Sequence, residues 1–125
     1  MTARFAIIFD SLEIASFAEF RGFHPAVTLE RPGGPVTTPP YVQLRHGLSG
    51  TAQVFQWYTA AKSNPSAARR SGKLQFFSPE GLPSTTYWLE KAWPSRLEVV
   101  GGNIDDPNAV MDIVDFSFQS YQQLS

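Results

Sequence analysis

Gly72-Lys73-Leu74-Gln75-Phe76-Phe77-Ser78, then Pro79-Glu80-Gly81, then Thr85-Thr86-Tyr87-Trp88-Leu89-Glu90-Lys91-Ala92-Trp93 reads as two strands joined through a turn, because Pro, Glu and Gly suit turn positions. Pro94 follows at once. It has no N–H to donate to a central ladder, so the strand from Thr85 is expected to end or reach an edge there, with Trp93 mostly buried at the end of a barrel. Downstream, Asn108 to Phe118 closes the chain, with Val110, Val114, Phe116 and Phe118 on one side of a period-two pattern and Asp115, Ser117 and Gln119 on the other. Upstream, Thr51 to Lys62 reads as a helix: Val54, Phe55, Tyr58 and Ala61 recur at helical spacing while Gln53, Gln56 and Lys62 fall on other faces. Ser49 or Thr51 suits its N-cap, and Asn64-Pro65 ends it. Twelve residues make a rod of about 18 Å, enough to cover one face or the mouth of a small barrel.

Farther upstream, Arg4 to Asp10 is a short Phe- and Ile-rich strand with a turn after it, and Ile14 to Phe23 is a second extended stretch. Pro25 to Glu30 alternates like a half-exposed strand, and Tyr41 to His46 resumes strand character. Between them, Arg31-Pro32-Gly33-Gly34-Pro35-Val36-Thr37-Thr38-Pro39-Pro40 is the clearest loop, since Pro lacks a ladder donor and Gly-Gly costs backbone entropy to order. It is expected to project from the domain rather than build it. Six or seven strands with one helix predict a mainly β, α+β domain folded as a small barrel or sandwich. No internal repeat is visible.

At 125 residues the chain fits one domain, taken as 1–125, with no room for two cores and a linker. Ten Lys and Arg against eleven Asp and Glu leave a net charge of -1, so no global basic field holds nucleic acid or an anionic membrane. Residues 1–73 nevertheless carry eight bases against four acids and residues 74–125 two against seven, which suggests two oppositely charged surfaces. With no Cys, disulfides, thiolate catalysis and Cys-ligated metals are excluded. The longest uninterrupted apolar run, Phe5 to Phe9, is too short for a membrane span or a signal-peptide core, and a cytoplasmic site of synthesis is expected. Ten Phe, four Tyr and three Trp exceed what a minimal core of this size needs, which hints at burial against a partner.

The catalytic readings fail in turn. His24 and His46 lack an acid at orienting spacing and read as ordinary polar or half-buried side chains. Asp105-Asp106 is followed by Pro107 and Asn108 and reads as a turn. Gly33-Gly34 lacks the Lys and Ser/Thr of a phosphate loop and leads into no helix. Arg69, Arg70 and Lys73 are too few charges for a phosphate-backbone contact and read as a solvated loop. Trp57, Trp88 and Trp93 have helix and strand contexts that favour packing over stacking on sugars or bases. No catalytic residue, cofactor or metal is expected.

Three stretches carry a resemblance. Arg45, Gly47-Leu48-Ser49-Gly50 and the helix with Phe55-Gln56-Trp57-Tyr58 form the first; Arg69-Arg70-Ser71-Gly72, Glu80-Gly81 and Trp88-Leu89-Glu90-Lys91-Ala92-Trp93-Pro94 form the second. Phe17-Ala18-Glu19-Phe20 with Gly22, then Glu30 with Gly33-Gly34, is the third. In order and spacing, over nearly the whole chain, they resemble tail tube proteins of contractile-tailed phages, with Ala92-Trp93-Pro94 the most distinctive part. The resemblance implies a six-stranded antiparallel barrel with one flanking helix, six copies to a ring, and rings stacked into a hollow tube through which DNA or an effector passes without specific binding. Type VI secretion haemolysin-coregulated tube proteins and extracellular injection systems share that architecture. It further implies sheath, baseplate and tape-measure partners, no membrane, a place in a virion tail or injection particle assembled in the bacterial cytoplasm, and a subunit or ring contact through the 31–40 loop. The chain departs from the pattern in a shorter 31–40 loop and in Asp112 where a Glu is common, after a one-residue shift. A tube-initiator or baseplate paralogue, or a small-ligand-binding barrel, is the alternative. Surplus aromatics suit such a ring, whose barrels must bury edges and apolar faces between subunits.

Overall fold

The computed structural model describes residues 4–101 and 109–124. Asp105 and Asp106 lie outside these. The described chain runs β1 (Arg4–Phe9), β2 (Leu12–His24), β3 (Val27–Leu29), β4 (Val36–Thr38), β5 (Tyr41–Ser49), α1 (Thr51–Ser63), β6 (Arg70–Phe77), β7 (Pro83–Val100), β8 (Val110–Ser117) and β9 (Ser120–Gln123). All pairings are antiparallel, in the order β6-β1-β2-β5-β8-β7, and β6 also pairs with β7. That last pairing closes a six-stranded barrel.

Closure needs strands long enough to change partners. β7, at 18 residues, lies between β6 and β9 over Tyr87–Glu90 and then pairs with β8 from Trp93 to Val100. The expected stop at Pro94 therefore does not occur. Pro94 sits opposite Phe116, with a register shift between it and Arg96, so the missing donor falls at a bulge where the ladder is already broken. Trp93 is half-buried, while Ala92 and Pro94 on either side are buried. A break at Phe118 and Gln119, where the Gln119 amide donates to the carbonyl of Glu90 at 2.9 Å, separates β8 from β9, a strand missed in the sequence.

Side chains of both strand faces meet cover on β8. Val114 and Phe116 fill the barrel with Ile7, Phe17, Leu44, Leu74, Leu89 and Met111, all fully buried. Asp115 and Ser117, expected on an open face, are buried too, because Gln43 Nε2 donates to Asp115 Oδ1 at 2.9 Å and Ser117 Oγ to Ser95 Oγ at 2.7 Å. Val110, by contrast, is exposed.

The β1–β2 hairpin turns on Asp10 and Ser11, with φ of 51° and 65°, the type I′ geometry that matches strand twist. Neither is glycine, so each bears the left-handed penalty of about 1 kcal/mol. Ser11→Gly should therefore raise the midpoint of thermal unfolding by roughly 3–5 °C at fixed protein concentration, measured by circular dichroism. A lowered midpoint would show that the Ser11 side chain stabilises the turn.

The helix closes one end of the barrel. Its buried residues are Val54, Trp57 and Ala61, so the inward stripe runs through Trp57 rather than through Phe55 and Tyr58. Trp57 stands edge-on to Phe9 at 5.0 Å and reaches Phe116 at 5.7 Å. The start is capped by neither Ser49 nor Thr51: Gly50 is the N-cap, left-handed at φ 85°, pressed on the backbone of Ile14 and Ala15 where a Cβ has no space. At the C-terminus the Asn64 amide donates to the Ala60 carbonyl at 2.9 Å.

The opposite end collects the starts of β1, β5 and β7 with the ends of β2 and β6. There Phe5, Phe20, Phe23, Phe76 and Tyr87 form a half-exposed aromatic cluster, and Tyr121 lies flat on Phe23 at 4.2 Å. From this end the chain leaves the barrel between His24 and Tyr41, which are paired across β2 and β5, and makes a separate two-stranded arm, β3 with β4. The stretch 31–40 is thus not wholly loop, since Val36-Thr37-Thr38 is a strand. Its β-branched residues pair with Val27-Thr28-Leu29, a strand with no buried residue.

Candidate assembly surface

The arm is amphipathic with nothing over it. Opposed residues of an antiparallel pair share a face, so Val27 with Thr38 and Leu29 with Val36 make one side, Thr28 with Thr37 the other. The hydroxyls of Thr28 and Thr37 join at 2.9 Å, while Val27, Leu29 and Val36 are each about half exposed to solvent. Every residue from 25 to 38 is exposed. A lone two-stranded hairpin is marginal in water, and this one has only its own cross-strand bonds and its tip to hold it. Gly33 and Gly34, at φ 95° and 118°, make its tip, closed by the Gly34 amide on the Arg31 carbonyl at 3.0 Å.

The motif positions fall into three places. Trp57, Arg70, Gly72 and Ala92 meet at the helix end: the Arg70 guanidinium lies 4.7 Å from the Phe9 ring and 5.8 Å from that of Trp57, and Arg70 pairs with Ala92 in register. Gly72 takes the Phe9 ring directly on its Cα, where any Cβ would collide with it. Trp93 carries the Arg69 guanidinium at 4.5 Å and, with buried Pro94, lines a small cleft under Tyr58 and Lys62. The basic triplet is therefore partly engaged with aromatic faces rather than a solvated loop. Gly47 presses on Met111 across β5 and β8, whereas Leu48 is exposed and Trp88 is half-buried, its Nε1 donating to Glu90 at 2.8 Å.

The fold also supplies what sequence spacing could not. His46, in a left-handed kink of β5, has Glu19 3.3 Å from Nε2 and Asp112 3.9 Å from Nδ1, and Arg45 binds Asp112 at 3.2 Å. Arg21 joins Glu19 at 2.8 Å. This is a mixed-sign network on the outer face of β2, β5 and β8, in which acids and bases neutralise each other. His24 stacks on Tyr41 at 4.6 Å, and its Nε2 meets the Arg21 carbonyl at 3.2 Å. Among the described residues no group of three or more His, Cys, Asp or Glu is placed to hold a metal ion, and no helix is long and apolar enough to cross a membrane.

No family model matches the chain, and no curated protein does. Solved structures do. A chain of the anti-feeding prophage (AFP) baseplate, in a 6-fold symmetrised cryo-EM structure, superposes with a TM-score of 0.52 at 12% identity, covering 99% of this chain and 93% of that one. Hcp1 from Flavobacterium johnsoniae gives a TM-score of 0.52 at 11% identity, covering 98% and 94%. The fold is similar to that of Hcp1. Coverage near the full length of both chains means that the likeness is not confined to one part of the chain, and it agrees with the tube-protein resemblance carried by the sequence.

Proposed function

We propose that this chain is a structural subunit of the inner tube of a contractile tail or phage-like injection particle, assembling as stacked six-membered rings. The observation that carries the reading is the Hcp-like closed barrel bearing an arm whose apolar side is exposed and meets no partner among the described residues. An isolated barrel has no use for such an arm; a ring of barrels does. The barrel interior is filled by Phe17, Phe116 and their neighbours rather than left as a ligand cavity, which favours assembly over small-molecule binding. The paired charges of Glu19, Arg45, His46 and Asp112 give a sheet face on which a passing polymer meets no isolated cation cluster. In this reading the chain is not an enzyme. Sheath, baseplate and tape-measure proteins are its partners, the 31–40 segment contacts a neighbouring subunit or ring, DNA or an effector traverses the lumen, and the particle is assembled in the bacterial cytoplasm.

The baseplate origin of the AFP structure favours a second reading, a tube-initiator or baseplate subunit. Negative-stain electron microscopy of the purified protein should show six-membered rings, stacked for a tube subunit and single for an initiator. A monomer at every concentration up to about millimolar would overturn both.

A further inference from the structure

We propose that the tip of the β6–β7 hairpin, Glu80-Gly81-Leu82, docks into the cleft beside Arg70 at the helix end of a second copy of this chain. This rests on the tube-subunit reading and assigns to it a contact separate from the β3–β4 arm. The cleft, of about 410 Å³, lies where the starts of β2 and β6 meet α1, and is lined by Ile14, Gln53, Gln56, Trp57 and Arg70. Ile14 and Trp57 give it apolar surface, while the exposed Gln53 and Gln56 bring amides that both donate and accept.

The Arg70 guanidinium is held in place without being satisfied. The rings of Phe9 and Trp57, 4.7 Å and 5.8 Å away, steady it, but its acidic neighbour Asp10 stands 3.7 Å off, beyond hydrogen-bond length, on a side chain 91% exposed. A carboxylate brought from outside can pair with that planar fork through two N–H groups. Arg69, the residue before it, and Lys62, in the last turn of α1, lie over the rings of Trp93 and Tyr58 and meet no carboxylate among the described residues. The helix end is therefore basic and its cations are already ordered.

The far end of the same strand carries the complement. Arg70 opens β6 and Phe77 closes it, which sets the two ends about 23 Å apart at roughly 3.3 Å per residue. The chain then turns through Ser78–Leu82, closed by the Gly81 amide on the Ser78 carbonyl at 2.8 Å and the Ser78 amide on the Leu82 carbonyl at 2.9 Å. This tied tip holds Leu82 64% exposed and presents Glu80, which enters no ion pair among the described residues. An apolar side chain two residues from an unpaired carboxylate matches a cleft with apolar surface beside a loosely paired guanidinium. Within one molecule the length of β6 keeps the two apart. Donor and acceptor are different surfaces, so the contact is head-to-tail and its repetition closes into a ring or continues along a stack.

The native chain has no cysteine, so two introduced ones define a single cross-link. Glu80→Cys combined with Gln56→Cys, both at exposed positions, should give under mild oxidation a reducible ladder of covalent multimers on a denaturing gel. In the otherwise native chain, Glu80→Arg sets two cations against each other and should raise the concentration needed for assembly tenfold or more. Adding Arg70→Glu to it should recover most of that loss. Single rings left in Glu80→Arg would place the contact between rings, and monomers would place it within one. Assembly by electron microscopy with no ladder, or assembly of Glu80→Arg at the native concentration, would overturn this contact and leave the tube-subunit reading standing. Assembly lost in a folded Arg70→Glu variant but intact in Glu80→Arg would give the cleft to an acidic segment other than this turn, and would overturn it as well. Absence of rings in the native chain would overturn both.

Discussion

Trp57→Ala should cost about 4–5 kcal/mol and move the denaturant midpoint by a large fraction of its value. Truncating a buried Trp in a packed core costs about 3–5 kcal/mol through lost transfer energy and the cavity left behind. Here two further losses add to it. The indole Nε1 donates to the Ala68 carbonyl at 2.6 Å, and that bond ties the helix to the segment entering β6; its loss costs about 1 kcal/mol. Phe9 and Phe116 also lose their ring contacts, with Phe9 already wedged over Gly72. Domains of this size hold about 5–15 kcal/mol in all, so such a variant is partly unfolded at moderate temperature. Trp57→Phe keeps most of the ring and loses the donor, and should cost less than half as much. Urea unfolding of both variants at one fixed protein concentration checks the pair, because assembly shifts apparent stability by mass action. Equal midpoints for Trp57→Ala and the native chain would show that the helix is not what closes this end of the barrel.

The sequence located that helix within a residue at each end but misjudged which aromatic faces inward. Helical spacing alone is satisfied by Val54, Phe55, Tyr58 and Ala61 and equally by Val54, Trp57 and Ala61; the choice is made by Phe9 and Phe116, which arrive from distant parts of the chain. Pro94 shows the same limit from another side. Its lack of a donor predicts a strand end or an edge, but a bulge opposite Phe116 absorbs it, and a bulge is a property of two strands in register, not of one. The arm was half legible. Val36-Thr37-Thr38 has strand composition, yet the flanking prolines and Gly33-Gly34 outweighed it, and its pairing with Val27-Thr28-Leu29 follows only once the intervening residues are seen as a turn. The β9 edge was not legible at all, because Ser120 to Gln123 has weak local preference and becomes a strand through β7 alone.

Removing the arm should separate folding from assembly. His24 and Tyr41 are register partners on adjacent strands, so a link of about four Gly and Ser residues can replace residues 25–40 and join β2 to β5 as an ordinary hairpin. Little in the barrel is lost, since every residue from 25 to 38 is exposed and the hydrogen bonds of β3 with β4 run between those two strands; the Pro40 carbonyl, which accepts from the Phe118 amide at 3.1 Å, is replaced by the carbonyl of the link's last residue. Shortening the connection about fourfold lowers its closure cost by roughly 1.2 kcal/mol. The thermal midpoint of the unassembled chain should therefore hold or rise by a few degrees. Assembly should be abolished, because the variant has lost Val27, Leu29 and Val36, the apolar side that the isolated barrel leaves in water. Sedimentation and negative-stain images of the variant beside the native chain test this directly. A folded variant that still forms rings in normal yield would show that the arm does not join the copies. A variant that fails to fold would show that the arm supports its own barrel, through a contact that the separate β3–β4 sheet does not make among the described residues.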